Sequence, residues 1–166
     1  MNCYFLSILT SIVNEGGSAI KKIAVIIIIG LIMIGIFIFQ PFRSEPPTPY
    51  VTIGIVNIPT TQGSYCWERL LSAQCVDKAY TSLFDMASTH KPTVVSPNEK
   101  IKIEFNIKPI AGTMKVEQWV DEDNIQKVEV KNGLIVVPKE KGMYVYHVIA
   151  NWEKGSGSYA FSVEVK

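Results

Sequence analysis

Cys66 and Cys75 are the first residues in this chain whose types and spacing could do chemistry. They lie nine positions apart, while Cys3 stands alone near the N-terminus. Outside a cell, such a pair forms a disulfide more readily than it persists as two free thiols. Closing a loop of about ten residues removes unfolded-chain entropy worth roughly 2–3 kcal/mol on the loop model. A redox motif is usually tighter, as Cys-x-x-Cys, so a thiol–disulfide or other small enzyme using Cys66 and Cys75 is the alternative rather than the leading expectation. Zinc has no ligand set, because the two histidines, His90 and His147, lack ligand-spaced companions.

His147 reads as a half-exposed sheet residue on the face opposite Tyr144 and Tyr146. His90 precedes Lys91-Pro92 in a connector. No Gly-x-Ser-x-Gly elbow accompanies either histidine, so no catalytic residue is assigned. Asp121-Glu122-Asp123-Asn124 is the densest oxygen cluster, and Asp121 and Asp123 are the weak candidates for a hard cation. The run lacks the spacing of a calcium loop, and a solvated turn is the plainer reading. Tyr65 and Trp67 flank Cys66 and are the candidate partner-binding platform, with burial at the edge of a sheet as the competing role. No glycine-rich phosphate cradle is present, and no cofactor is expected.

The elements that must position these residues begin with an apolar block. Ile23 to Phe39 is 17 residues without a charge or a hydrogen-bonding side chain. As a helix it spans roughly 26 Å, close to the ~30 Å of a bilayer's hydrocarbon, and residues 40–42 extend it. Lys21 and Lys22 precede the block and Arg43 alone follows it. The positive-inside rule then makes residues 1–22 a cytoplasmic leader and places everything after Phe42 outside the cell. Residues 23–42 are therefore expected to be a transmembrane signal anchor. Secretion after cleavage is the competitor, but Gln40-Pro41-Phe42-Arg43-Ser44-Glu45 carries no small-x-small cleavage pattern. Within the leader, Glu15-Gly16-Gly17 ahead of Ile20-Lys21-Lys22 resembles a translated ribosome-binding site. On that reading translation starts at Ile20 and residues 1–19 are not made; the other reading is a short cytoplasmic tail.

Residues 43–49 form a Pro-rich linker, expected as an extended strut. Tyr50 to Val56 reads as a strand closed by Pro59. Across 65–90, Trp67, Leu70, Leu71 and later Leu83, Phe84 and Met86 suggest short helical turns. Residues 50–91 are thus a strand plus a Cys66–Cys75 loop region packed on the β-rich region that begins at Pro92. From Pro92 the pattern is β. Ile101, Ile103, Phe105 and Ile107 alternate with polar residues, and Lys115–Val120 and Gln126–Val130 make two further strands. Asn132-Gly133 predicts a hairpin joining the latter strand to Leu134–Val137. Tyr144, Tyr146, Val148, Ala150 and Trp152 share one face of a long strand, as do Tyr159, Phe161, Val163 and Val165 of the last. The fold class is mainly β, with turns every 8 to 12 residues as in an antiparallel sandwich.

Gly142–Trp152 with Ser158–Val165 resembles the last two strands of bacterial immunoglobulin-like domains, and Pro97–Ile103 is similar to their early strands. The resemblance covers about residues 92–166 and implies an immunoglobulin-like β-sandwich with Tyr144 as its corner tyrosine. The paired core cysteines and core tryptophan of antibody-type domains have no counterparts here. Gln62–Trp67 with Cys75-Val76-Asp77 is similar to uncharacterised membrane-anchored surface proteins of low-GC Gram-positive bacteria, a group that implies no activity for any residue.

Charge adds an exclusion. The chain carries 16 Lys+Arg against 15 Asp+Glu, so no basic field suggests nucleic acid. The leading expectation is a non-catalytic, membrane-anchored binding or structural module, held in the membrane by residues 23–42 and meeting an envelope protein or cell-wall component. A sensor or accessory subunit of a membrane complex is the further alternative.

Overall fold

The computed structural model describes residues 19–39, 45–69, 72–121 and 124–166. The chain divides into two compact units, Met1–Phe42 and Arg43–Lys166.

Among the described residues of the first unit is the helix α1 (Ala19–Phe39). Isoleucine loses side-chain freedom in a helix, yet a run with no partner strand can satisfy its own amides only this way. Side chains of α1 are described from Lys21 to Ile36. Among the described residues, no helix is long and apolar enough to cross a membrane.

The second unit is mainly β. A four-stranded sheet runs in the order β2 (Val56–Ile58), β1 (Pro49–Ile53), β6 (Lys100–Phe105), β9 (Leu134–Val136). The larger sheet runs β4 (Ala73–Val76), β3 (Thr61–Glu68), β11 (Gly155–Val165), β10 (Gly142–Trp152), β7 (Lys115–Trp119), β8 (Ile125–Val128). A short strand, β5 (Thr93–Val95), adds to β11 in parallel, and every other strand pairing among the described residues is antiparallel. The long β10–β11 ladder, Gly142↔Val165 to Trp152↔Gly155, is its spine.

The two sheets share one apolar core. Val51, Ile101, Ile103 and Ile135 of the small sheet cluster with Tyr146, Val148, Tyr159, Phe161 and Val163 of the large one. Period-2 alternation puts all of these on inner faces. Tyr146 stacks on Phe161 at 5.0 Å, and Trp152 meets Phe105 and Trp67 edge-on at 5.1 and 5.7 Å. Tyr144 donates from its hydroxyl to the Glu140 carbonyl, 3.0 Å away, tying the start of β10 to the preceding turn.

The opposite face of the large sheet is covered in part by α2 (Leu83–Ser88). Met86 and Ala87 bury against Val145 and Ala160. Ser82 caps the helix by accepting from the Asp85 amide, and Asp85 accepts from the amide and hydroxyl of Thr81. These reciprocal bonds satisfy orphan donors at the helix start, where a carboxylate also suits the dipole.

Three expectations are corrected. The described part of the linker, residues 45–49, is not a free strut: Pro46, Pro47 and Pro49 are buried, and Pro49 opens β1 opposite Phe105. Prolines bury without an amide to satisfy. The Pro47 carbonyl is met by the Tyr159 hydroxyl at 2.6 Å. Trp67, expected in a helical turn, lies in β3, while Leu70 and Leu71 fall outside the described residues; Leu83, Phe84 and Met86 do lie in a helix. Asn132-Gly133 does form a two-residue turn, both φ values positive at 54° and 76°, closed by Lys131–Leu134 hydrogen bonds. It does not join two strands of one sheet. β8 belongs to the large sheet and β9 to the small one, so the chain changes sheets just before the turn. Glycine is required there because a Cβ would sit 2.8 Å from the Ile103 carbonyl oxygen.

Candidate functional site

Cys66 and Cys75 form a disulfide across the β3–β4 hairpin. The Arg69 amide bonds the Ser72 carbonyl at the hairpin tip. Counting back in twos from that bond puts Cys66↔Cys75 at a non-hydrogen-bonded position, where antiparallel Cα atoms approach most closely. Their Cα atoms are 4.0 Å apart. The segment expected as a loop is therefore an edge hairpin, with both cysteines on its exposed side.

Tyr65 and Trp67 alternate with the exposed Ser64 and Cys66, which turns both rings inward. They are 7 % and 2 % exposed and belong to the core, so the partner-binding platform expected of them is not presented to solvent. Burial, followed by the nearby Glu45 carboxylate, raises the Tyr65 phenol above its usual pKa. Of the metal candidates, Asp121 lies two residues past the end of β7 and Asp123 lies outside the described residues; among the described residues no group of three metal-binding side chains assembles. His90 sits exposed just past α2.

His147 has the more developed setting. The β-ladders set one row across the outer face of the large sheet: Lys127, Glu117, His147, Ala160, Thr61. His147 Nδ1 lies 3.5 Å from Glu117 Oε2, with the two side chains 21 % and 28 % exposed. The neighbouring row holds Ile125, Trp119 and Val145. Beside them the segment leading into α2 stands off the sheet and leaves an open cleft of about 290 Å³, lined by Ser64, Lys78, Tyr80, Trp119, His147 and Ser158 among others.

Internal bonds hold this wall. Ser64 Oγ donates to Asp77 Oδ1 at 2.6 Å and accepts from the Lys78 amide at 3.1 Å. Ser158 Oγ donates to the Ser64 carbonyl at 3.0 Å. Both serine protons thus go to acceptors other than His147, so neither of these serines makes the nucleophile–base contact that acyl transfer uses. Two buried polar atoms on this face, Thr61 Oγ1 and Trp119 Nε1, have no partner among the described residues. Such groups each cost about 1–3 kcal/mol unless water or a ligand meets them.

A larger hollow of about 390 Å³ lies beside β9, lined by Lys100, Val128, Leu134 and Val136 among others. It offers less chemistry. The outward amide and carbonyl of Leu134 are already bonded to Lys131, and Lys131 pairs with Glu129 at 3.2 Å.

Sequence reasoning missed Glu117, Trp119, Lys78 and Tyr80. Alternation alone puts Lys115, Glu117 and Trp119 on one face of β7, but that this face continues across His147 depends on a strand pairing spanning thirty residues. Comparison with known proteins finds no matching family model, curated protein or solved structure.

Proposed function

We propose that this protein is a membrane-anchored, extracytoplasmic recognition module that carries out no chemistry of its own. The observation that carries the reading is the surface of α1. Ile23, Ile26, Ile27, Ile28, Ile29, Leu31 and their neighbours to Ile36 are 40–68 % exposed, on every side of the helix. A helix apolar all round needs an apolar surrounding. In sequence the run continues to Phe39, long enough for a bilayer's core. The Cys66–Cys75 disulfide supports an oxidising compartment for the β unit, which agrees with Lys21 and Lys22 on the cytoplasmic side.

The β unit is read as an immunoglobulin-like sandwich over residues 92–166, with two additions. Three features support this: the β8-β7-β10-β11 order, the parallel β5 on β11, and the Tyr144 hydroxyl returning to the chain four residues upstream at the start of β10. The β1–β2 and β3–β4 hairpins extend the two sheets at their edges. Recognition of an envelope protein or wall component is assigned to the outer face of the large sheet, around His147, Glu117 and Trp119.

The test is topology in a Gram-positive host. A C-terminally tagged chain should resist alkaline extraction from membranes, and protease added to intact cells should remove the tag. A tag that stays protected on intact cells, or a chain released by alkali, would sink the reading.

A further inference from the structure

The geometry points to a neutral glycan as the ligand of the outer-face cleft, an inference that rests on the proposed recognition role. Its two basic lining residues each have a carboxylate neighbour outside the lining: Lys78 follows Asp77 in sequence, and His147 Nδ1 lies 3.5 Å from Glu117 Oε2. Those two neighbouring carboxylates offset the basic lining for a polyanion, and a polycation would meet the lysine, so neither is favoured. Ring surface is present at Tyr80 and Trp119, partly buried with Leu83 and Phe84 against α2. Sugar rings offer apolar C–H faces to such surfaces and hydroxyls that both donate and accept.

The polar groups suit hydroxyls in particular. In the lining the Lys78 ammonium donates and the imidazole of His147 does either according to tautomer, while Glu117, 3.5 Å from His147, accepts at its margin. Trp119, which lines the cleft, has a buried Nε1 with no partner among the described residues, and a bound hydroxyl or a water it orders supplies one. The cleft is open rather than closed over, which suits a segment of a polymer better than an enclosed small molecule.

The experiment is an NMR titration of the full chain, in phosphocholine micelles so that no detergent sugar competes. Chitotetraose, cellotetraose and maltotetraose are the probes. At least one should bind saturably, shifting the Trp119 indole and His147 signals while leaving Lys102 on the other sheet unmoved. Glu117→Gln, which keeps the shape of the side chain, should weaken that binding about tenfold, the size expected for losing one charged hydrogen-bond acceptor. The conservative change guards against unfolding, and Lys102→Ala should leave binding unchanged. Absence of saturable binding by all three probes overturns the glycan assignment, as does binding that Glu117→Gln leaves intact. If a protein cross-links to this face on cells while no glycan binds, the glycan inference fails and the recognition reading stands.

Discussion

The two faces of the large sheet are built from the same strands and do different work. On β10, Tyr144, Tyr146, Val148, Ala150 and Trp152 point into the core and are buried. The intervening residues Met143, His147 and Asn151 are exposed or half-exposed, and Val145 alone is sealed, under α2. The inner face is filled with apolar and aromatic groups, and the Tyr146 and Tyr159 hydroxyls and the Trp152 indole N–H bond within the protein. The outer face keeps ionisable groups in partial contact with solvent, where their charge remains usable. Stability and recognition are therefore divided by side of sheet, not by region of chain.

The harshest way to break that division is at the aromatic junction. Trp152 packs on Trp67 and Phe105 and donates its indole N–H to the Ile107 carbonyl at 2.9 Å. Trp152→Ala should cost about 3–5 kcal/mol, enough to unfold a marginal domain. Urea titration followed by tryptophan emission would measure it, and a loss below about 1 kcal/mol would mean that the core is not centred on this junction.

Next comes the disulfide, which fastens the edge strand β4 to β3 on the exposed side of the hairpin. Replacing both Cys66 and Cys75 by serine should lower stability by about 2–3 kcal/mol on the loop model. Hydrogen exchange should speed up in β4 before it does in β10, because β4 pairs with β3 alone. Uniform acceleration across both strands would show the bridge to be part of the global folding unit instead.

Much of the inner face is legible in the sequence, because burial on one side of a strand writes itself as alternation. The residues of β10 and β11 assigned to one face do share it. What alternation does not carry is which strand lies beside which. The Asn132-Gly133 signal predicts the turn correctly in its backbone, while the sheet that each flanking strand joins is decided by distant partners such as Val116 and Ile101. For the same reason His147 reads as an ordinary sheet residue, since Glu117 becomes its neighbour only once β7 pairs with β10. Tyr65 and Trp67 mislead for a different cause: a cysteine flanked by aromatics suggests a surface loop, but in a strand the same spacing sends both rings inward.

A smaller effect is expected where the proline segment is fastened. Tyr159→Phe keeps the ring and removes the hydroxyl that meets the buried Pro47 carbonyl. The loss should be about 1–2 kcal/mol by thermal or urea denaturation, since an acceptor is left buried without a donor. An unchanged midpoint would mean that residues 46–49 are held by apolar packing alone.

The inner face should also set the alkaline limit of the fold. Burial, and then the neighbouring Tyr144, hold the Tyr146 phenol well above its ordinary pKa, and its hydroxyl donates to Gln118 Oε1 at 3.1 Å. A folded-state pKa above the unfolded value means the native state binds the extra proton. That contribution is complete below about pH 10, the ordinary tyrosine value, and declines as the pH rises beyond it. In Tyr146→Phe the decline should be shallower between about pH 10 and 12, although the variant starts slightly less stable for want of the Gln118 bond. Parallel slopes for the two proteins would count against Tyr146 as the titrating group.

The least disturbance to stability should come one residue further on, and it divides the two faces most cleanly. His147 and Tyr146 are adjacent on β10, yet the histidine's partner is a half-exposed carboxylate 3.5 Å away, in an environment where such pairs are worth little. His147→Ala should therefore shift the unfolding free energy by no more than about 0.5 kcal/mol. If the outer face is a recognition surface, the same change should still weaken ligand or partner capture on cells, because the imidazole faces the cleft and not the core. Loss of capture with stability intact separates recognition from folding within two consecutive residues. A stability loss as large as that of a core residue would instead make His147 part of the packing under α2, and the boundary between the two faces would have to be moved outward to include it.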